Sequence, residues 1–174
     1  MRTSRIGYCV SVVGPGHGAT VDAIDDAEAV GRLLAERGWI TLCGGLAVGV
    51  MAAVARGASA AGGIVIGLLP GADRSDAAHG LTAALATGLG ESRNAVLISA
   101  ADAVIGCGLS PGTASELALA LRAGKPTALV RPTREAAAFF QTLADDETPL
   151  YVAATPSEAV AWVARQLTSD LSGD

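Results

Sequence analysis

The chain has 174 residues, of which 51% are hydrophobic and 17% charged, with a formal net charge of −5. That length predicts one domain, and the apolar content excludes wholesale disorder. The 12 basic residues include a single lysine, Lys125, and no basic run, which excludes a duplex nucleic-acid binder with its positive face. Aromatic residues make up only 3% beside 22 glycines, so the core must consist of small and β-branched side chains with backbones packed close together.

In chain order, Arg2 and Arg5 precede an apolar run, Ile6–Val13, that superficially imitates a signal peptide. The run is short and leads into Gly14-Pro15-Gly16-His17-Gly18 without a cleavage signature, so it reads as a strand ending in glycines. Thr20 is placed to cap a helix whose first turns carry Asp22, Asp25 and Asp26, which suits the positive end of a helix dipole. That helix runs to about Arg37 and stops at Gly38. Trp39–Cys43 is the second strand, Gly44-Gly45 the turn after it, and Val48 to Ala61 an alanine-rich helix. Ile64–Leu69 is a third strand, the polar stretch Gly71–Gly80 a loop, and Leu81–Thr87 a short strand. Glu91 to Ala100 reads as helix, Ala103–Cys107 as strand, Thr113–Ala123 as helix and Thr127–Val130 as strand. Thr133–Leu143 is helical, Leu150–Ala153 extended and Thr155–Leu167 a last amphipathic helix.

Continuous apolar strands alternating with helices mark a parallel sheet covered on both faces. The expectation is one Rossmann-like α/β domain over residues 1–168, mostly parallel, with residues 169–174 as a frayed tail. Right-handed crossovers then bring the loops after the strands to one edge, where Gly14–Gly18, Gly44-Gly45 and Gly106–Gly112 meet. Glycines between a strand and a helix let backbone approach a ligand, and the helix N-terminus offers N–H groups to an anion. Two such loops on one edge predict phosphate or nucleotide binding, although neither has the GxGxxG spacing of a dinucleotide fingerprint.

Cys9, Cys43 and Cys107 are too few and too scattered for a disulfide framework and lie in apolar runs, so they read as small buried hydrophobes. His17 and His79 belong to no metal-ligand cluster, although His17 is placed to touch a ligand from its glycine loop. Asp145-Asp146-Glu147 is a solvated turn. With no apolar stretch of about 18 residues, the expected protein has no membrane partner and is cytoplasmic.

Three segments, Gly44–Met51, Thr87–Asn94 and Gly108–Glu116, resemble the superfamily formerly labelled lysine decarboxylases. It includes the LONELY GUY phosphoribohydrolases and the molybdenum-cofactor-carrier-like proteins. The enzymes carry a GGGxxGLMG loop, an arginine–lysine pair and a PGGxGTxxE loop. Here Leu46 replaces the third glycine, Asn94 the lysine, and Gly108-Leu109-Ser110-Pro111 the PGGx stretch, while Gly112–Glu116 keeps GTxxE. The stretch from Thr87 to Gly108 is closer to the carrier-like branch.

The resemblance implies a phosphorylated small molecule as partner, molybdenum cofactor or a nucleotide as bound ligand, and a homodimer or homotetramer. The ligand would contact Gly14, Gly16, Gly44, Gly45, Arg93, Gly108, Ser110, Gly112, Thr113 and Glu116, with Gly44, Gly45, Arg93, Gly112 and Thr113 on its phosphate. The alternatives are a nucleoside 5′-monophosphate phosphoribohydrolase with Arg93 and Glu116 as catalytic residues, needing no cofactor, or a nucleotide-sensing partner protein. Glu116 also has a structural reading, since Thr113-Ala114-Ser115-Glu116 is spaced as a capping box, like Thr155-Pro156-Ser157-Glu158. Pyridoxal chemistry is excluded on the residues themselves. It needs a lysine in the pocket, and Lys125 sits in a helix-to-strand turn expected at the opposite sheet edge. Ser110 lacks a histidine–carboxylate partner set for a hydrolytic nucleophile.

Overall fold

A computed structural model describes residues 7–145 and 148–169. Seven strands form one sheet: β1 (Cys9–Val13), β2 (Ile40–Cys43), β3 (Val65–Leu69), β4 (Ala83–Ala86), β5 (Ala103–Cys107), β6 (Thr127–Val130) and β7 (Leu150–Ala153). They lie in the order β4-β3-β2-β1-β5-β6-β7, and each neighbouring pair is parallel. The chain winds outward in one direction from β1 to β4 and in the other from β5 to β7. Its topological switch point therefore falls between β1 and β5, where open α/β sheets bind ligands.

Five helices lie between strands, α1 (Val21–Glu36), α2 (Gly49–Ala60), α3 (Arg93–Ser99), α4 (Pro111–Arg122) and α5 (Arg134–Gln141), and α6 (Pro156–Ser169) follows β7. Alternate strand residues point to opposite faces. Val10, Val12, Ile105 and Cys107 join Val30, Leu34, Val54 and Val163 beneath α1, α2 and α6. Leu42, Leu68, Val104 and Leu129 join Leu97, Leu117 and Phe140 beneath α3, α4 and α5. The single-domain, Rossmann-like reading is thus the observed architecture.

Several boundaries differ for local reasons. The first strand begins at Cys9, where pairing with β2 starts, and Ile6 lies outside the described residues. The helix expected from Glu91 opens instead as a 3-10 turn, Gly90–Ser92, with regular helix only from Arg93. The helix expected from Thr113 starts at Pro111 with Ser110 as its N-cap, because proline suits the first helical position and the serine hydroxyl takes the Thr113 N–H. The last helix runs to Ser169, so the remainder of the expected tail, like residues 146–147 of the acidic turn, lies outside the described residues. Cys43 and Cys107 are buried and Cys9 half-buried, and burial pushes all three thiols up, Cys43 to about 11. Among the described residues no helix is long and apolar enough to cross a membrane.

The glycine content finds its clearest explanation where α1 and α2 cross. A Cβ at Gly57 would lie 2.0 Å from the Glu28 carbonyl oxygen, and one at Gly31 would lie 2.4 Å from that of Val54. Both contacts are backbone, which cannot move aside without shifting a helix. Gly57→Ala is therefore expected to lower the unfolding free energy by about 1–3 kcal/mol, measured by denaturant titration. It reverses the usual gain from replacing helical glycine with alanine.

Candidate functional site

Three loops converge at the switch point: β1–α1, β2–α2 and β5–α4. They interlock through backbone. The Val50 N–H donates to the Pro15 carbonyl at 3.0 Å, and a Cβ at Gly49 would stand 2.2 Å from the Gly16 oxygen. Gly14 sits where a Cβ would meet the Cys107 carbonyl oxygen at 2.3 Å, and Gly108 packs against Pro15. Gly16 faces Met51 and Val48. Gly45, with φ +78°, backs onto Gly67 of β3 instead, so it shapes the turn and does not face the other loops.

Two helices present their N-termini here. α2 starts after Val48 with no side-chain cap and no acidic residue in its first turn. α4 also lacks a first-turn acid, and its Thr113 N–H is taken by the Ser110 hydroxyl, which also bonds the Thr113 hydroxyl at 2.9 Å. Unpaired first-turn N–H groups and the dipole favour an anion at such ends. A Cβ at Gly112 would meet only Ser110 Oγ, at 3.9 Å, so the approach to the start of α4 is open.

Arg93 and Glu116 lie beneath these loops. The first residue of α3, Arg93, is 6% exposed, and Glu116, in the second turn of α4, is 7% exposed. The Arg93 Nη1 donates to Glu116 Oε1 at 3.4 Å, well beyond the roughly 2.7–2.9 Å of a tight charge-assisted bond. The same guanidinium lies over Gly44, where a Cβ would be 2.7 Å from Nη2. Arg93 Nε and Asn94 Oδ1 are buried without a hydrogen-bond partner among the described residues. Such atoms cost about 1–3 kcal/mol each. The hydroxyls of Ser11 and Thr41, mid-strand in β1 and β2, are the other two.

The capping-box reading of Glu116 does not hold. Thr113 is the third residue of α4 and Glu116 lies a turn further in, facing Arg93. At Thr155 the box forms in a shifted version: the threonine hydroxyl takes the Glu158 N–H, and the Glu158 carboxylate takes the Ala154 N–H. Spacing alone cannot separate the two; the serine–proline pair ahead of Thr113 was the signal that moved the helix start. Burial raises the Glu116 carboxyl to about 7, against the lowering by Arg93 and with a smaller push from Glu91. His17 is exposed on its loop, and His79 is exposed away from it. Lys125 sits at the opposite sheet edge, donating to the carbonyls of Ser99 and Ala101. Sequence reasoning missed Met51, whose sulfur would lie 2.6 Å from a Gly44 Cβ and whose methyl faces Gly16.

The SLOG cluster4 family model matches residues 7–160. An uncharacterised protein of Archaeoglobus fulgidus is 37% identical over 124 residues, 71% of this chain and 80% of its own. A molybdenum cofactor binding protein of Rippkaea orientalis is 33% identical with a TM-score of 0.89, covering 94% of this chain and 99% of that one. The molybdenum cofactor carrier protein of Chlamydomonas reinhardtii is 36% identical with a TM-score of 0.87, at the same coverages.

A carboxyl raised by folding stabilises the protein fully below its unfolded value near 4.5 and loses that contribution as pH rises through about 7. Chemical denaturation from pH 4 to 8 is expected to show stability falling across that window by an amount on the order of 3 kcal/mol. Glu116→Gln should flatten that part of the profile, and an unchanged profile would place the titration elsewhere.

Proposed function

The chain belongs to the SLOG cluster4 family, and from that premise we propose that it binds and carries molybdenum cofactor, held by its terminal phosphate. The observation that carries this reading is full-length likeness, at 33% and 36% identity, to two proteins that bind or carry that cofactor. The residues present fit a phosphate. Two helix starts, one without a side-chain cap and both without a first-turn acid, converge with a buried guanidinium whose Nε has no partner among the described residues, and the open face of Gly112 lets an oxygen approach its backbone N–H. Gly14, Gly16 and Gly108 keep the three loops close enough to act together, and Ser110 and Thr113 add hydroxyls.

Purified anaerobically from a cofactor-producing host, the protein is expected to yield oxidised pterin fluorescence in near-stoichiometric amount. No bound pterin, together with no uptake on titration, would overturn the reading. Gly112→Ala should leave the melting temperature unchanged, since its methyl meets nothing close. It should weaken cofactor uptake by about tenfold, equivalent to roughly 1.4 kcal/mol.

A second reading, N-glycosidic hydrolysis of nucleoside 5′-monophosphates, is favoured by one observation, the buried Arg93–Glu116 pair with a carboxyl near 7. Water would add to ribose C1′ as the C1′–N bond breaks and the base leaves with a proton. Glu116 would stabilise the oxocarbenium charge and Arg93 would hold the phosphate. Chromatography of a nucleoside 5′-monophosphate panel distinguishes the two. Base release above an enzyme-free control, lost in Glu116→Gln with nucleotide binding retained, supports hydrolysis. No release from folded protein leaves carriage standing.

A further inference from the structure

A pocket of about 260 Å³ opens beside the β5–α4 loop, between the ends of β5 and β6 and the start of α5. Gly108 and Leu109 line it, so it is continuous with the glycine loops, whereas Arg93 and Glu116 do not. Its floor is apolar, made by Leu117, Leu129 and Phe140. Gly106 deepens that floor, because a Cβ there would project to within 3.2 Å of both leucines. Ligand pockets for whole drug-sized molecules run from about 300 to 1,000 Å³. This one therefore suits a single ring system whose remainder lies outside.

Its rim is polar and oriented. The hydroxyls of Thr20 and Thr133 accept the Ala23 and Ala136 N–H groups as helix caps, which leaves each O–H to donate. Arg131 is the one non-glycine residue with positive φ, +44°, among the described residues. A two-pronged pair with Asp26 holds it there, Nε at 2.9 Å and Nη2 at 2.6 Å, and does not use Nη1. Strained backbone fixed by such a buried anchor points to a positioned side chain. Asp26 offsets the arginine charge, and Asp22 and Asp25 add further negative charge nearby, so the rim disfavours a second phosphate. What it offers is donors over an apolar floor, with a guanidinium plane suited to stacking.

Resting on the phosphate reading above, we infer that this pocket takes the flat heteroaromatic ring of the same phosphorylated ligand, an uncharged ring with hydrogen-bond acceptors on its edge. The phosphate then lies on the glycine loops and the ring lies against Leu117, Leu129 and Phe140. Calorimetric titration of the full chain with molybdopterin, GMP and the ringless ribose 5-phosphate tests it. At least one ring-bearing probe should bind more tightly than ribose 5-phosphate. Ala136→Leu fills the pocket, and Leu109→Trp covers its mouth from a half-exposed position. Either should cut the ring-bearing probe's affinity by about tenfold, with ribose 5-phosphate unchanged. Equal binding of ringed and ringless phosphates, or a ring advantage that survives both substitutions, overturns the inference and leaves the phosphate reading intact. Failure of every phosphate to bind overturns both.

Discussion

Everything at the switch point depends on three loops meeting backbone to backbone. The Val50 N–H reaches the Pro15 carbonyl because Gly49 brings no Cβ against that carbonyl, and Gly14 lets the first loop settle on the Cys107 carbonyl. A methyl at either close approach would push the loops apart and draw the start of α2 away from that of α4. The same economy governs α1 against α2, where Gly31 and Gly57 let helix backbones touch. The site and the core thus rest on one physical rule, which is that two main chains can pack directly where one of them lacks a Cβ.

Upon that frame the chain places one buried ion pair whose geometry is poor for stability. A 3.4 Å contact between Arg93 and Glu116, with Nε left unpaired, returns little for desolvating two ions. Burial outweighs the arginine in setting the Glu116 proton affinity, and so the carboxyl titrates near neutral pH. Arg131 and Asp26 make the contrast, with a two-pronged pair at ordinary distances on the other side of the β5–α4 loop.

Most of the fold was legible because period and punctuation agreed: apolar runs of four or five residues, glycine stops and a threonine cap at Thr20. The errors fall where two local signals competed. Thr113 and Glu116 have capping-box spacing, but Ser110-Pro111 is the stronger start, and the tertiary contact with Arg93 decides where the carboxylate points. Glu91 and Ser92 read as helix because their composition permits one; the 3-10 turn from Gly90, whose φ is positive, takes them instead. Which residues gather at the switch point was readable from topology. That Gly45 faces β3, that Met51 lines the loops and that Arg131 is strained were not, since each depends on contacts between segments distant in the chain.

The chain's one lysine has a consequence for chemical handling. Lys125 Nζ donates to the carbonyl of Ser99, the last residue of α3, and to that of Ala101 just beyond it; α3 has seven residues and begins at Arg93. Acylating that amine removes both the charge and the donors at the helix's carboxyl end. Amine-directed labels, tethers and cross-linkers thus have one side-chain target here, and it is the clamp at the far end of the rod that carries the buried guanidinium. Thiol-directed reagents leave that clamp untouched.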